Sequence, residues 1–193
     1  MLQAKLFKDD NSGGGGTKVP VGIHEGADFL GITTESTWSD INYGLDGRSI
    51  HKRLFVPTGA QPLEGETIQQ ALDREISRNL GHVVQAMTAV LGKEIVDTFE
   101  ASDYKGFLAA AAAVLNPKKG SKVNLKVIPD RKEQKYPDLP AYGTYVEQHV
   151  EGVPTKLKYS KKESEAIEVM EKNRNASGMS GSAMSAADVE NLV

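Results

Sequence analysis

Cysteine is absent from this chain, which excludes disulfides and thiolate metal sites. A chain without cysteine fits a reducing compartment. No apolar run approaches the roughly 20 residues that a membrane-spanning helix needs, and residues 1–10 lack the apolar core of a signal peptide. We therefore expect a soluble, intracellular protein in the cytoplasm.

Patterns for catalysis and metal binding are also missing. The four histidines lack metal-ligand spacing, and no serine occupies a Gly-x-Ser-x-Gly elbow. The glycine run 13–16 precedes Thr17 and Lys18, which reverses the order of a phosphate-binding loop. The acidic residues at 64–75 surround a predicted helix start, where they suit the helix dipole. We expect no enzymatic activity, no metal and no cofactor.

A basic segment at residues 118–162 is the main feature that is present. It holds eleven Lys or Arg and five Asp or Glu, a local charge of +6 in a chain of net charge −3. The remaining residues therefore sum to −9, so the acidic pI does not reveal the basic segment. Tyrosines are interleaved with these cations, and alternation of cations with rings is typical of surfaces that bind single-stranded nucleic acid.

Composition divides the chain into an arm, a domain, a charged helix and a tail. Residues 1–18 predict a flexible arm because of their glycine run. Residues 19–160 carry strand patterns interrupted by a helical insertion at about 66–116. Residues 161–175 are charged and rich in helix formers. Residues 176–193 begin with Ser, Gly, Ala and Met and predict a disordered tail with an acidic tip.

The order of predicted elements indicates a fold. Thr67 and Gln70 form a capping box before an amphipathic helix that ends at Gly92, and a second helix is expected from Ser102 to Leu115. Strands flanking these helices predict an α+β, mainly β fold, an oligonucleotide-binding (OB)-like Greek-key barrel with a two-helix insertion. The predicted strands span residues 19–34, 38–56 with a turn at 44–47, 123–128, 142–150 and 156–160.

The strand ending in Phe55 offers a candidate binding surface. His51, Arg53 and Phe55 share one face because side chains alternate along a strand. An imidazole, a guanidinium and a ring on one face can contact phosphates and stack on bases. The alternative is a surface strand in which Phe55 caps a small apolar cluster. Lys52 falls on the apolar side, so either it extends to solvent or the register breaks there.

The strand that starts at Lys122 offers a second candidate surface. Lys122 and Lys126 share a face with Asn124. The alternative is an ordinary half-buried strand whose lysines are merely solvated.

Three aromatic residues are candidate stacking platforms. Trp38, the only tryptophan, lies among polar residues, and both a binding surface and a core position fit it. Tyr142 and Tyr145 are an odd number of residues apart, so only one of them faces a groove unless Gly143 breaks the strand. The full set of predicted DNA-binding residues is Trp38, Arg48, His51, Arg53, Phe55, Lys122, Lys126, Tyr142, Tyr145, Lys156 and Lys158.

Four segments resemble bacteriophage single-stranded DNA-binding proteins: 47–57, the helical stretch after 65–67, 122–127 and 139–143. The resemblance covers about residues 19–160. It implies an OB barrel that coats single strands during phage DNA replication, recombination and repair, and a C-terminal tail that recruits replication proteins. Bacterial relatives close that tail with Pro-Phe, whereas this chain does not. The residues expected to bind a partner are Asp188, Val189, Glu190, Leu192 and Val193.

Two other functions fit the same patterns. A phage structural or assembly protein would use the helical pair as a docking surface, and its lysines would serve solubility. An RNA-binding module of similar barrel type would use the same rings and cations, and contacts to the 2′-hydroxyl would distinguish it.

Overall fold

A computed structural model describes residues 18–97, 99–100 and 103–176. The predicted tail from 177 onward and nearly all of the predicted arm lie outside the described residues. The strands are β1 (Gly22–Thr34), β2 (Trp38–Leu45), β3 (Arg48–Phe55), β4 (Lys122–Pro129), β5 (Pro137–Asp138) and β6 (Val146–Gln148). The helices are α1 (Ile68–Leu91), α2 (Lys93–Val96), α3 (Tyr104–Leu115) and α4 (Lys161–Ala176), with a 3-10 turn at Asn116–Lys118.

The six strands form one open antiparallel sheet. Its order is β3-β2-β1-β4, and both β5 and β6 pair with β4. The first half of β1 pairs with β4 and its second half with β2. Among the described residues no strand ladder joins β3 to β5 or β6, so the expected barrel is not closed. The architecture is α+β with a β-rich core.

Local sequence signals set the hairpin and the first helix. Asp46 and Gly47 both have positive φ, 50° and 75°, as a two-residue turn of the primed type requires. This turn pairs Leu45 with Arg48 and fixes the register of β2 against β3. The predicted capping box of Thr67 is present at the start of α1.

Some predicted boundaries are wrong. The strand expected at 142–150 is reduced to the three residues of β6, and no strand forms at 156–160. The chain instead bends at Gly143, whose φ is +76°. The expected start of the second helix, Ser102, lies outside the described residues, and Asp103 caps α3 through the Gly106 amide. The charged helix expected after residue 160 is present as α4.

One face of the sheet packs against α1 and α3 and forms the hydrophobic core. Alternate residues of each central strand are buried there, as period-two alternation requires. The strands contribute Phe29, Ile41, Tyr43, Leu54, Val123 and Leu125, and the helices contribute Val83, Met87, Leu108, Ala111 and Leu115.

Residues 139–145 run between β3 and β4, a segment that we call the seam: the Leu139 carbonyl oxygen accepts from Lys52 of β3, and the Tyr145 carbonyl oxygen accepts from the Lys126 amide of β4 at 2.7 Å. Tyr145 is fully buried there, with its ring centroid 6.3 Å from that of Tyr43 and 5.5 Å from that of His82. Burial raises the pKa of the Tyr145 hydroxyl well above its usual value. Side-chain packing therefore occupies the position where a closed barrel would have a ladder.

Two side chains tie the seam segment to its surroundings. Lys52 points inward from β3 and donates to the Leu139 carbonyl oxygen at 2.8 Å. Gln85 of α1 donates to the Gly143 carbonyl oxygen at 3.1 Å and accepts from the Tyr145 amide at 3.2 Å. Burial lowers the pKa of Lys52, although nearby Asp138 partly opposes the effect.

His82 gives the fold a specific pH dependence. Burial, followed by the charges of Lys52 and Arg78, lowers the pKa of His82 from 6.5 to about 4. The unfolded chain therefore binds more protons than the folded chain between these pH values. We expect the stabilisation from neutral His82 to be complete above about pH 6.5 and to decline as the pH falls towards 4, by at most about 3 kcal/mol.

Urea unfolding of the wild type and His82→Leu at several pH values tests this expectation. The difference in unfolding free energy between the two proteins should shift in favour of the variant as the pH falls from 6.5 to 4. Parallel pH profiles for the two proteins would contradict it.

Candidate functional site

The second face of the β2–β3 hairpin, opposite the core, carries a row of ring and polar side chains. Residues paired across an antiparallel ladder lie on the same face, and here Trp38 pairs with Phe55, Asp40 with Arg53 and Asn42 with His51. We call these six residues the β2–β3 strip. From Trp38 to Gly44, β2 extends about 20 Å at the usual strand rise.

A guanidinium–indole stack lies near one end of the strip. The Arg53 Cζ atom lies 4.3 Å from the centroid of the Trp38 ring. Arg53 also donates from Nε to Asp40 Oδ1 at 2.9 Å and from Nη2 to Asp40 Oδ2 at 2.8 Å. Asp40 is buried, and this hydrogen bonding raises the pKa of Arg53. The three side chains therefore form one preorganised unit.

The remaining members surround this unit. Phe55 is 63% exposed, which is high for a large apolar side chain. His51 Nε2 lies 4.0 Å from Asp40 Oδ2. Asn42 donates to Thr33 Oγ1 on β1 at 3.2 Å, and this bond links the strip to the central strand. The strip thus offers an exposed ring and a polar edge beside the guanidinium–indole stack.

A second guanidinium–ring pair joins the loop between β4 and β5 to the segment between β5 and β6. Tyr142 is 60% exposed, and the Arg131 Cζ atom lies 4.8 Å from its ring centroid. The two side chains come from segments that follow β4, and neither belongs to the β2–β3 strip.

The other predicted cations are distributed more widely. Lys122 is exposed and forms an ion pair with Asp28 at 2.7 Å. Arg48 is exposed at the β2–β3 turn. Lys156 and Lys158 are exposed in the segment between β6 and α4, where the Lys158 carbonyl oxygen accepts from Lys126 of β4. The structure brings Trp38, His51, Arg53 and Phe55 together, but it does not bring these lysines into the strip.

Two predicted site residues are inside the molecule. Tyr145 fills the seam, so its ring has no exposed face for stacking. Lys126 is only 4% exposed and donates to the Lys158 carbonyl oxygen at 2.9 Å and to Glu163 Oε2 at 3.0 Å. The helix α4, which supplies Glu163, packs against β4 and covers this lysine. Neither residue faces a groove. For Lys126 this contradicts the expectation from strand alternation, whereas for the tyrosines alternation allowed only one exposed ring, and that ring is Tyr142.

Asp40 and Arg131 are components of the site that sequence reasoning missed. The Asp46–Gly47 turn implies a register in which Asp40 opposes Arg53, so counting back from the turn would have found Asp40. No sequence pattern marks Arg131, because its contact with Tyr142 depends on the path of the loop.

Other kinds of site find no support in the described part of the chain. It contains no group of three or more His, Asp or Glu side chains arranged to hold a metal ion. Within the same ranges, no helix has both the length and the apolarity needed to cross a membrane. No family model, no curated protein and no solved structure matches this chain.

Proposed function

We propose that this protein binds single-stranded DNA without strong sequence preference, through the β2–β3 strip, and has no enzymatic activity. One observation carries the proposal: an exposed phenylalanine, Phe55, lies directly opposite Trp38, on the sheet face that carries the Trp38–Arg53 stack. Rings and guanidinium planes stack on bases of any sequence because every base has a π-face. The exposed Tyr142 ring, with Arg131 against it, offers a second ring–guanidinium pair of the same chemistry.

The strand connectivity supports an open relative of the OB barrel. The first strand pairs with both β2 and β4, and the helices α1, α2 and α3 lie between β3 and β4 in the chain. In OB folds the face of strands 2 and 3 binds oligonucleotides, and the β2–β3 strip is the corresponding face here. A role in phage DNA replication, recombination or repair, in the host cytoplasm, follows as the biological part of this proposal.

The direct test is a fluorescence titration of Trp38 with a thymidine oligonucleotide. Since Trp38 is the only tryptophan, its emission reports on the strip itself. We expect saturable quenching, and an affinity that falls with salt at a log–log slope of about −0.7 for each phosphate contacted. Phe55→Ala should weaken binding by roughly 1–3 kcal/mol through the loss of one stacking surface.

Ile68→Ala is the matched control, because Ile68 is 70% exposed but lies on α1. It should bind like the wild type. Equal affinity for duplex DNA, or a Phe55→Ala variant that binds as tightly as the wild type, would refute the proposed site. Tighter binding to a uridine RNA oligonucleotide than to the DNA would instead identify an RNA-binding module.

A further inference from the structure

Arg53 already uses much of its hydrogen-bonding capacity within the protein. Its Nε and Nη2 atoms donate to the two carboxylate oxygens of Asp40, at 2.9 and 2.8 Å. A bidentate pair of this kind fixes the plane of the guanidinium as well as its position. The indole of Trp38 then lies against one side of that plane, with Cζ 4.3 Å from the ring centroid.

The charge of Arg53 is also compensated before any ligand arrives. Asp40 is only 5% exposed, so its carboxylate depends on Arg53 for a counter-ion. A phosphate that took Arg53 for itself would leave this carboxylate buried and unpaired, which is strongly unfavourable. A phosphate would also approach a site whose net charge is close to zero.

The exposed part of Arg53 can nevertheless contact a ligand. Its side chain is 41% exposed even though one planar side and one edge are occupied. The second planar side and the Nη1 edge remain, and a guanidinium plane is a good stacking partner for a nucleobase. Phe55, directly opposite Trp38 in the register, provides a second flat surface beside it.

We propose that Arg53 is a base-stacking plate rather than a phosphate ligand, and that Asp40 is the positioning residue that holds the plate over Trp38. This inference rests on the proposed function and specifies how the same site recognises its ligand. A base stacks on the outer side of the guanidinium and forms a sandwich with the indole beneath it. The phosphates are then contacted by cations elsewhere on the protein.

The variants Arg53→Lys and Arg53→Gln distinguish an Arg53 that stacks on a base from an Arg53 that binds a phosphate. Lysine keeps the charge but loses the plane, and glutamine loses both. Titration with the thymidine oligonucleotide at several salt concentrations should show both variants weakened about 5- to 150-fold, the equivalent of one stacked base. Both should retain the wild-type salt slope. A Lys variant with wild-type affinity, or a Gln variant whose slope is smaller in magnitude by about 0.7, would make Arg53 a phosphate ligand and overturn the proposal.

Asp40→Asn tests the positioning role. It releases the guanidinium plane and frees the charge of Arg53, so affinity should fall at high salt, where the charge is screened, while the slope becomes steeper by up to about 0.7. Weaker binding with an unchanged slope would reduce Asp40 to a structural residue. If this variant does not fold, Arg53→Lys, which keeps a cation beside Asp40, still decides the proposal. Failure of the wild type to bind would refute the proposed function itself. If the wild type binds and the Arg53 variants behave as expected for a phosphate ligand, only the stacking role of Arg53 is refuted.

Discussion

Tyr145→Ala is expected to lower the free energy of unfolding by about 3–5 kcal/mol, the range for removing a buried aromatic ring. The Tyr145 ring is fully buried in the seam, edge-to-face with Tyr43 and beside His82. Its removal leaves a cavity between two rings that the backbone of residues 139–145 cannot easily refill, since Gln85 holds this segment at both Gly143 and Tyr145.

Tyr142→Ala is the matched comparison, because Tyr142 lies three residues earlier and is 60% exposed. We expect its unfolding free energy to stay within about 0.5 kcal/mol of the wild-type value. Its affinity for the thymidine oligonucleotide should fall, because Arg131 loses the ring against which it is stacked. Urea unfolding and fluorescence titration of both variants measure the two effects. Equal loss of stability in the two variants would be inconsistent with the positions of these rings.

Glu163→Ala should also destabilise the protein by about 3–5 kcal/mol, because it leaves the ammonium of Lys126 buried without a counter-ion. The side chains of Lys126 and Glu163 are only 5% and 13% exposed. Glu163 Oε2 also accepts from the Ser160 amide at 2.6 Å, so this carboxylate caps the start of α4 as well.

A double-mutant cycle with Lys126→Met and Glu163→Leu isolates the ion pair. The double variant should recover much of the stability that either of these single changes loses, since an apolar pair can replace a buried ion pair. Lys126→Met should leave the salt slope of oligonucleotide binding unchanged. Additive losses in the cycle would contradict the pairing, and a smaller slope for Lys126→Met would return this lysine to the binding surface.

Local chemistry explains which parts of the fold could be predicted. The capping box of Thr67 and the turn at Asp46 and Gly47 act over a few residues, and both were readable from the sequence. Long-range pairing was not readable. Glu163 neutralises Lys126 from 37 residues away, and alternation alone placed this lysine in solvent. The seam was missed for the same reason, because side chains of three elements, and no strand ladder, determine it.

The candidate site was likewise predictable where it depends on local strand alternation, and unpredictable where it depends on long-range contacts. His51, Arg53 and Phe55 share one face because strand alternation requires it, and the structure retains that arrangement. The odd separation of Tyr142 and Tyr145 predicted that only one of the two rings is exposed, but the sequence could not say which one. In the structure, Gln85 of α1 holds the backbone at Gly143 and at Tyr145, and the Tyr145 ring is the buried one.

The inward direction of Lys52 has a consequence for self-association. An unclosed sheet has free edges, and a free edge can recruit a strand from another molecule. Lys52 lies on the edge strand β3 with its ammonium held by the Leu139 carbonyl oxygen. A strand that invaded the seam would displace that carbonyl and leave a cation against apolar side chains. An inward-pointing charge on an edge strand is a known barrier to aggregation, so we expect Lys52 to oppose edge-to-edge pairing along β3.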